Sequence, residues 1–440
     1  MLSTIGLVIA IVVLIFGAYK RVGIFPMTII CTLIVIITSG LPIWQSYSDW
    51  YVTAFSTPFK NYILLFAASC LYSKVMELSG SASTIAHTII GLVGTKNVVT
   101  ACCIAGAILT YGGVSGFVLS YVLVPVMYGM FYQANIHRKY MYAVVMISCG
   151  TWTAGFLPYS ASVSNVVPAT AFGVSLGCAP IMGIVTSIIL FIVQLIYINR
   201  EVKKSQSKGE NFAFGPSVNP EIYTNENVDD LPSAFSSFFP LIAMVVSIIV
   251  GSQFGIDGTM LAVVALFAAS VLCYVFNIRT LNRQDPKAWL TTAMANSVTS
   301  LVGLAAVTGF AAVLAHAPSY ISLLDGLIAA NMNPYIKAAL ATFMVSLVSG
   351  SSSAGVGIVT QTPALMEYFM TCGANLDIIS RLVSMVSMPG SAMPNCAGNY
   401  VHLSVVELTQ ADCYPNTFRI NFLFPIIICI ATVAFSVVFF

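Results

Sequence analysis

"GFLPYSASVSN" (155–165) and "SMPGSAMPN" (387–395) share a skeleton: Pro, any residue, Ser, Ala, then a short run ending in Asn. Both interrupt sequence that otherwise reads as membrane helix. Upstream of Pro158 lies "TYGGVSGF" (110–117), and upstream of Pro389 lies "SGSSSAGVG" (349–357). Each half thus carries a Gly/Ser-rich break, a helix, a Pro-Ser-Ala break and an Asn, in the same order and at similar offsets. In hydrocarbon an unpaired backbone group is costly, so a broken helix persists only inside protein or beside a wet cavity. Gly permits unusual backbone angles, Pro stops the helix, and Ser and Asn satisfy freed backbone groups or a ligand. One such break equally serves tight helix packing. Two in matching order point to a midplane site, where half-helix N-termini offer N–H groups to an anion.

Composition agrees with a membrane setting. The chain has 440 residues, 58% hydrophobic and 7% charged, whereas soluble domains carry about 25% charged residues. The net charge of +2 gives no nucleic-acid footprint. The 11 cysteines form no CxxC or metal spacing and mostly sit in apolar runs, so they read as small hydrophobes. The opening run has no basic leader and no cleavage site, and reads as a retained first helix.

Membrane helices are expected at 2–18, 23–43, 58–78, 98–111, 114–133, 140–157, 179–198, 235–253, 258–278, 288–312, 334–349, 376–388 and 418–439, with shorter half-length pieces at 83–94, 163–177, 318–330, 356–371 and 399–409. The polar stretch 199–233 divides a first membrane repeat (1–198) from a second (234–440) and reads as an exposed cytoplasmic linker. Lys and Arg near 138–139, 200–208 and 279–287 place the linker inside and the N-terminus outside.

Candidate substrate-binding residues are Gly112, Gly113, Ser115, Ser160 and Asn165 from the first half. From the second half they are Ser352, Ser353, Thr360, Asn395 and Asn399. Thr360, Gln361 and Thr362 follow the glycine break and offer hydrogen-bonding groups. Intramembrane charge defaults to function, which makes Glu367, His402 and Glu407 proton-coupling candidates, since His titrates near neutrality. Asp377 and Arg381, spaced i, i+4, are expected to pair on one helix face. Lys74 and Glu77 read as a helix end at the membrane surface, and His316 as a helix-end histidine. No Walker A, dinucleotide, HExxH or nucleophile-elbow motif occurs, and no acid pair for catalysis, so an enzyme is not expected.

These blocks also resemble a known family. "VMELSGSASTIAHTIIGLVGTKN" (75–97), "TYGGVSGFVLSYVLVPV" (110–126) and "FLPYSASVSNVVPATAFGVSLGCAPIMG" (156–183) resemble successive segments of the gluconate:proton symporter (gluconate permease) family, short-chain organic-acid branch. "GSSSAGVGIVT" (350–360) and "MPNCAGNYVHLSVVELTQADCY" (393–414) resemble its second-half blocks. The chain departs from the pattern where Tyr159 replaces a Gly, Asn395-Cys396 replaces His-Asn, and Ser162 and Ser164 stand where Gln is common. The resemblance implies proton-driven uptake of a small carboxylate or hydroxy acid, and a transport domain moving against a dimer scaffold.

The expected fold class is an all-α polytopic membrane protein of two inverted repeats, with re-entrant hairpins and broken helices, in the ion-transporter superfamily. The expected function is symport of a small organic anion such as a short carboxylate, hydroxy acid or sugar acid, with H+ as the coupling ion and no cofactor. A sodium-coupled carboxylate transporter and an anion channel are the alternatives. The expected partners are the anion, the lipid bilayer and a second copy in a homodimer. The setting is the bacterial cytoplasmic membrane.

Overall fold

The computed structural model describes residues 2–19, 23–93, 97–112, 116–215, 231–252, 254, 258–283, 285–314, 316–393 and 396–440. Among them there are helices and no strands. In chain order the first half contains α1 (Leu2–Tyr19), α2 (Ile24–Ser39), α3 (Thr53–Leu78), α4 (Ser81–Val93), α5 (Val98–Tyr111), α6 (Gly116–Gln133), α7 (Lys139–Cys149), α8 (Val163–Ala171) and α9 (Pro180–Ser207). The second half contains α10 (Ala234–Ser252), α11 (Gly258–Phe276), α12 (Pro286–Leu314), α13 (Pro318–Ala329), α14 (Pro334–Ser349), α15 (Ser352–Gln361), α16 (Pro363–Thr371), α17 (Leu376–Ser387), α18 (Ala397–Val405), α19 (Gln410–Thr417) and α20 (Phe424–Phe439). Two π-helical turns bear on the site: Trp152–Phe156 extends α7, and Phe418–Leu423 joins α19 to α20.

Five of the described stretches are long and apolar enough to cross a bilayer: Pro180–Ser207, Ala234–Gly251, Thr259–Phe276, Pro286–Leu314 and Ala411–Phe439. Their polarity is turned inside out. Along α9, Ile181, Ile184, Ile188, Ile192 and Ile196 are exposed, while Gly183, Ser187 and Gln194 are buried. That pattern suits lipid outside and small or polar contacts within the bundle.

The helices fall into two packed groups. α3 packs on α11 and α12, with α2 on α12 and α10 on α11. The pieces around the breaks form the second group. There α8, from the first half, packs on α15 and α17, while α18, from the second half, packs on α6 and α7.

Local chemistry explains the breaks. α14 ends because Gly350 adopts φ +62°, the left-handed cap that glycine favours. Ser351 then starts α15, its Oγ accepting from the Ala354 N–H. The chain reverses there within two residues. The helix expected over 140–157 stops at Cys149 and continues only as the π-helical turn. The piece expected at 356–371 is two helices, because Pro363 lacks the N–H that would carry α15 onward.

The expected linker 199–233 also differs at its start. α9 continues to Ser207, with Lys204 lying 3.8 Å from Glu201 one turn back. Phe212 and Phe214 then fold back against Tyr128 and Tyr132. Residues 216–230 lie outside the described residues.

Candidate functional site

Arg381, on α17, is fully buried at 0% exposure. Its Nε donates to Cys178 O (3.1 Å), and its Nη2 to Cys178 O (3.0 Å) and Leu176 O (3.2 Å). Its Nη1 donates to Asn165 Oδ1 (2.7 Å) and reaches Leu157 O (3.4 Å) and Phe156 O (3.5 Å). All these oxygens are neutral and belong to the first-half break. A buried charge is costly unless it is hydrogen-bonded, and a broken helix supplies unpaired carbonyls for that purpose. The expected Asp377–Arg381 pair does not form. Asp377 is exposed at the start of α17, its N–H held by Asn375 Oδ1 (2.9 Å). Arg381 lies one turn further along α17, where carbonyls of the other half surround its guanidinium.

Asn165 completes the lock. Its Nδ2 donates to Ser160 O (2.9 Å) and Leu176 O (3.2 Å). With Arg381 on its oxygen, its amide is occupied by protein groups. Tyr111 donates from its hydroxyl to Pro158 O (3.1 Å). Tyr159 stands at φ +60° in the left-handed region. That accounts for the glycine of the resembling pattern at this position. The Tyr159 ring is accommodated because residue 177 is Gly, where a Cβ would lie 2.2 Å from Tyr159 Cζ.

The two halves meet at a pair of hydroxyls. Ser164 Oγ donates to Ser352 Oγ at 3.3 Å. Ser164 is in the first turn of α8, and Ser352 is the first residue of α15. The N-termini of two helices from opposite halves therefore converge. Each carries unpaired N–H groups and the positive end of its dipole. Ser160 is buried beside this junction, with its Oγ accepting from the Ser162 N–H (3.3 Å), and Ser162 Oγ donates to Ala154 O. Ser353 is partly buried on the same turn as Ser352.

A second cross-half contact has the same form. Ser120, on α6, and His402 Nδ1, on α18, are 2.6 Å apart and buried. Asn399, one turn before His402, donates from Nδ2 to Met393 O (3.1 Å). Gly113, Ser115 and Asn395 lie outside the described residues. Gly112 is at the end of α5, where a Cβ would lie 2.4 Å from Leu241 Cδ1, so close packing on α10 requires Gly.

The other charged candidates lie elsewhere. Glu407, at φ +52°, sits against Gly215 and Arg138, since a Cβ at Gly215 would lie 2.3 Å from its Oε2 and 2.9 Å from Arg138 Nη1. That is the linker end of the molecule. Glu367 is exposed on the short helix α16. Lys74 and Glu77 form an i, i+3 ion pair at 2.8 Å near the end of α3.

A cavity of about 880 Å³ opens at the end of the molecule away from the linker. It is lined by Thr57, Lys60 and Asn61 of α3, Thr259 of α11, Thr170 of α8, and Thr360 and Gln361 of α15, among others. α3 reaches the linker end at Leu78, beside Gly80, where a Cβ would lie 3.2 Å from Pro232; Thr57–Asn61 are therefore at the far end. α8 and α15 run from the serine junction to this cavity, roughly 9 Å from Ser164 to Thr170 and roughly 12 Å from Ser352 to Thr360 at 1.5 Å per residue.

The GntP family permease model matches residues 2–438. The chain belongs to the GntP permease family. This permease is 26% identical over 455 residues to the uncharacterized transporter YxjC of Bacillus subtilis (strain 168), with 96% of each chain covered. Its fold is similar to that of the Alcanivorax borkumensis YdaH transporter, described as having an unusual topology. The TM-score is 0.58 at 15% identity, covering 89% of this chain and 88% of that one. The permease is thus a multi-pass membrane transporter and not an enzyme.

Of the residues singled out by sequence, the permease brings Ser160, Asn165, Ser352 and Ser353 to one region, and Asn399 and His402 to another. Thr360 points to a third, the outer cavity. The sequence reading missed Ser164 as a contact, Lys60, and the reach of Arg381 into the opposite half. Arg381 carried a signal, since a charge in an apolar helix needs partners, but only the fold reveals which ones.

Proposed function

We propose that this permease is a secondary active transporter, a symporter, for a small organic anion: a short carboxylate, a hydroxy acid or a gluconate-like sugar acid. The observation that carries this reading is the Ser164–Ser352 contact, where two helix N-termini from opposite halves converge. Buried Arg381 stands behind it through Asn165. N-terminal N–H groups, hydroxyls and a nearby uncompensated cation favour a carboxylate at this point. The paired breaks support inverted repeats around one cavity and alternating access. On the positive-inside rule the linker end is cytoplasmic.

The coupling ion in this reading is the proton, with His402 as its carrier. His402 is buried and linked across the halves to Ser120, and an imidazole nitrogen can accept and release a proton. The test is uptake into proteoliposomes of a panel of labelled organic acids, with proton and sodium gradients imposed separately. Accumulation driven by the proton gradient, and lost in His402→Gln, is expected. Accumulation driven only by sodium would remove the proton assignment. Absence of gradient-driven uptake of every acid would remove the symport reading.

A further inference from the structure

The outer cavity has a chemistry of its own. Among the described residues lining it, Lys60 is the one charged side chain, and it is a cation. Gln361 lines it with both Nε2 and Oε1 shielded from solvent and without a hydrogen-bond partner among the described residues. Hydroxyls of Thr57, Thr170, Thr259 and Thr360 surround the same space, two of them linked to each other (Thr170–Thr259, 2.9 Å). Helix ends of both kinds meet there: α8 stops at Ala171 and α15 at Gln361, while α11 starts at Gly258 and α16 at Pro363. The last α8 carbonyls are taken by the N–H groups of Phe172, Gly173 and Val174. Among the described residues the cavity therefore offers one ammonium, the threonine hydroxyls and an unsatisfied amide. A simple carboxylate would use chiefly the ammonium. A carboxylate that also carries hydroxyls would use both sets, its carboxylate on Lys60 and its O–H groups on the threonine hydroxyls and Gln361.

We propose that this cavity is a second binding site, separate from the serine junction, for a hydroxylated carboxylate. It rests on the organic-anion reading above for the identity of its ligand, and not for its geometry. The cavity also lies between the two helix groups. α3 and α11 supply Lys60 and Thr259, while α8 and α15 supply Thr170 and Gln361. A ligand held by both groups is gathered at the mouth before it reaches the junction.

The test uses Asn61→Cys, an exposed cavity residue next to Lys60, in proteoliposomes and in detergent. Its rate of modification is measured with an anionic and a cationic methanethiosulfonate reagent, with the wild-type chain as the background for native thiols. The anionic reagent should react faster, and Lys60→Gln in the same background should cut that advantage about tenfold. Lactate, glycerate and gluconate should protect the thiol at concentrations where acetate and sorbitol do not, and Gln361→Leu should weaken that protection. Equal rates for the two reagents, or no selective protection by any hydroxy acid, would overturn the site. Protection by lipid or detergent alone, unaltered by hydroxy acids, would mark a lipid crevice and overturn it as well. Charge-selective, protectable labelling with no gradient-driven uptake would leave the site standing and sink symport; uptake with unselective labelling would do the reverse.

Discussion

The Arg381 guanidinium donates to Asn165 Oδ1 at 2.7 Å and so fastens the second half of the chain to the break in the first. The remaining N–H groups of Arg381 hold Cys178 O and Leu176 O. Removing the guanidinium strands Cys178 O and Asn165 Oδ1 in a dry interior, while Leu176 O keeps the Asn165 and Tyr159 donors. Arg381→Met should lower unfolding free energy in detergent by about 3–5 kcal/mol, the usual cost of breaking a buried charged network. Arg381→Lys should recover little, because one ammonium cannot span three separated acceptors in the fork geometry of Arg. Denaturant unfolding of the two variants beside wild type decides the point.

Tyr159 and Gly177 are predicted to be energetically coupled. Tyr159 at φ +60° carries a cost of about 1–2 kcal/mol that glycine would not. A methyl at Gly177 would collide with its ring. Gly177→Ala alone should destabilise by about 1–3 kcal/mol. In the Tyr159→Gly background the same change should be nearly neutral. A double-mutant cycle on thermal unfolding measures the difference, and additive effects would contradict the packing described.

Charge at the serine junction should separate folding from transport. Ser352→Asp puts a carboxylate in the first turn of α15, where the helix dipole tolerates or favours it. The variant should fold as well as wild type and lose nearly all uptake of organic anions, since it repels or replaces the ligand. Ser352→Ala, which removes one hydrogen-bonding group, should raise KM roughly two- to tenfold, corresponding to about 0.5–1.5 kcal/mol. Uptake by Ser352→Asp at the wild-type rate would place the anion elsewhere.

At the linker end, Glu210 is held down to a pKa of about 2, chiefly by its hydrogen bonds from Lys139 and Ser205. A depressed carboxylate stabilises the fold above its ordinary value of 4.5, and that contribution fades as the pH falls toward 2. Its side chain is 36% exposed, so screening keeps the effect small. Glu210→Gln should be less stable than wild type by no more than about 1 kcal/mol at pH 6. The gap should narrow as the pH is lowered through the acid range. Urea titrations at a series of pH values provide the check, and a gap that widens with acid would have the wrong sign.

Much of the fold was legible because the bilayer imposes simple rules. Long apolar runs such as Pro180–Ser207 can only be helix, and Gly350 followed by three serines signals a reversal with a cap. The site was less legible because depth and direction are not written in local spacing. Asp377 and Arg381 look like an i, i+4 pair, yet Asp377 ends exposed at the start of α17 and Arg381 turns to carbonyls in the opposite half. Glu367 has apolar neighbours in sequence but faces outward on a helix too short to bury it. Lys60 follows Pro58 and Phe59 near the start of α3 and looks unremarkable until α8, α11 and α15 line the space beside it.

The carbonyl cage around Arg381 also sets an order of assembly. During synthesis the first half leaves the ribosome well before α17 is made. Until then the carbonyl of Cys178 and the amide oxygen of Asn165 lack the guanidinium that later holds them. The nascent first half therefore waits, with its break incompletely satisfied, for a single side chain that arrives 203 to 216 residues later.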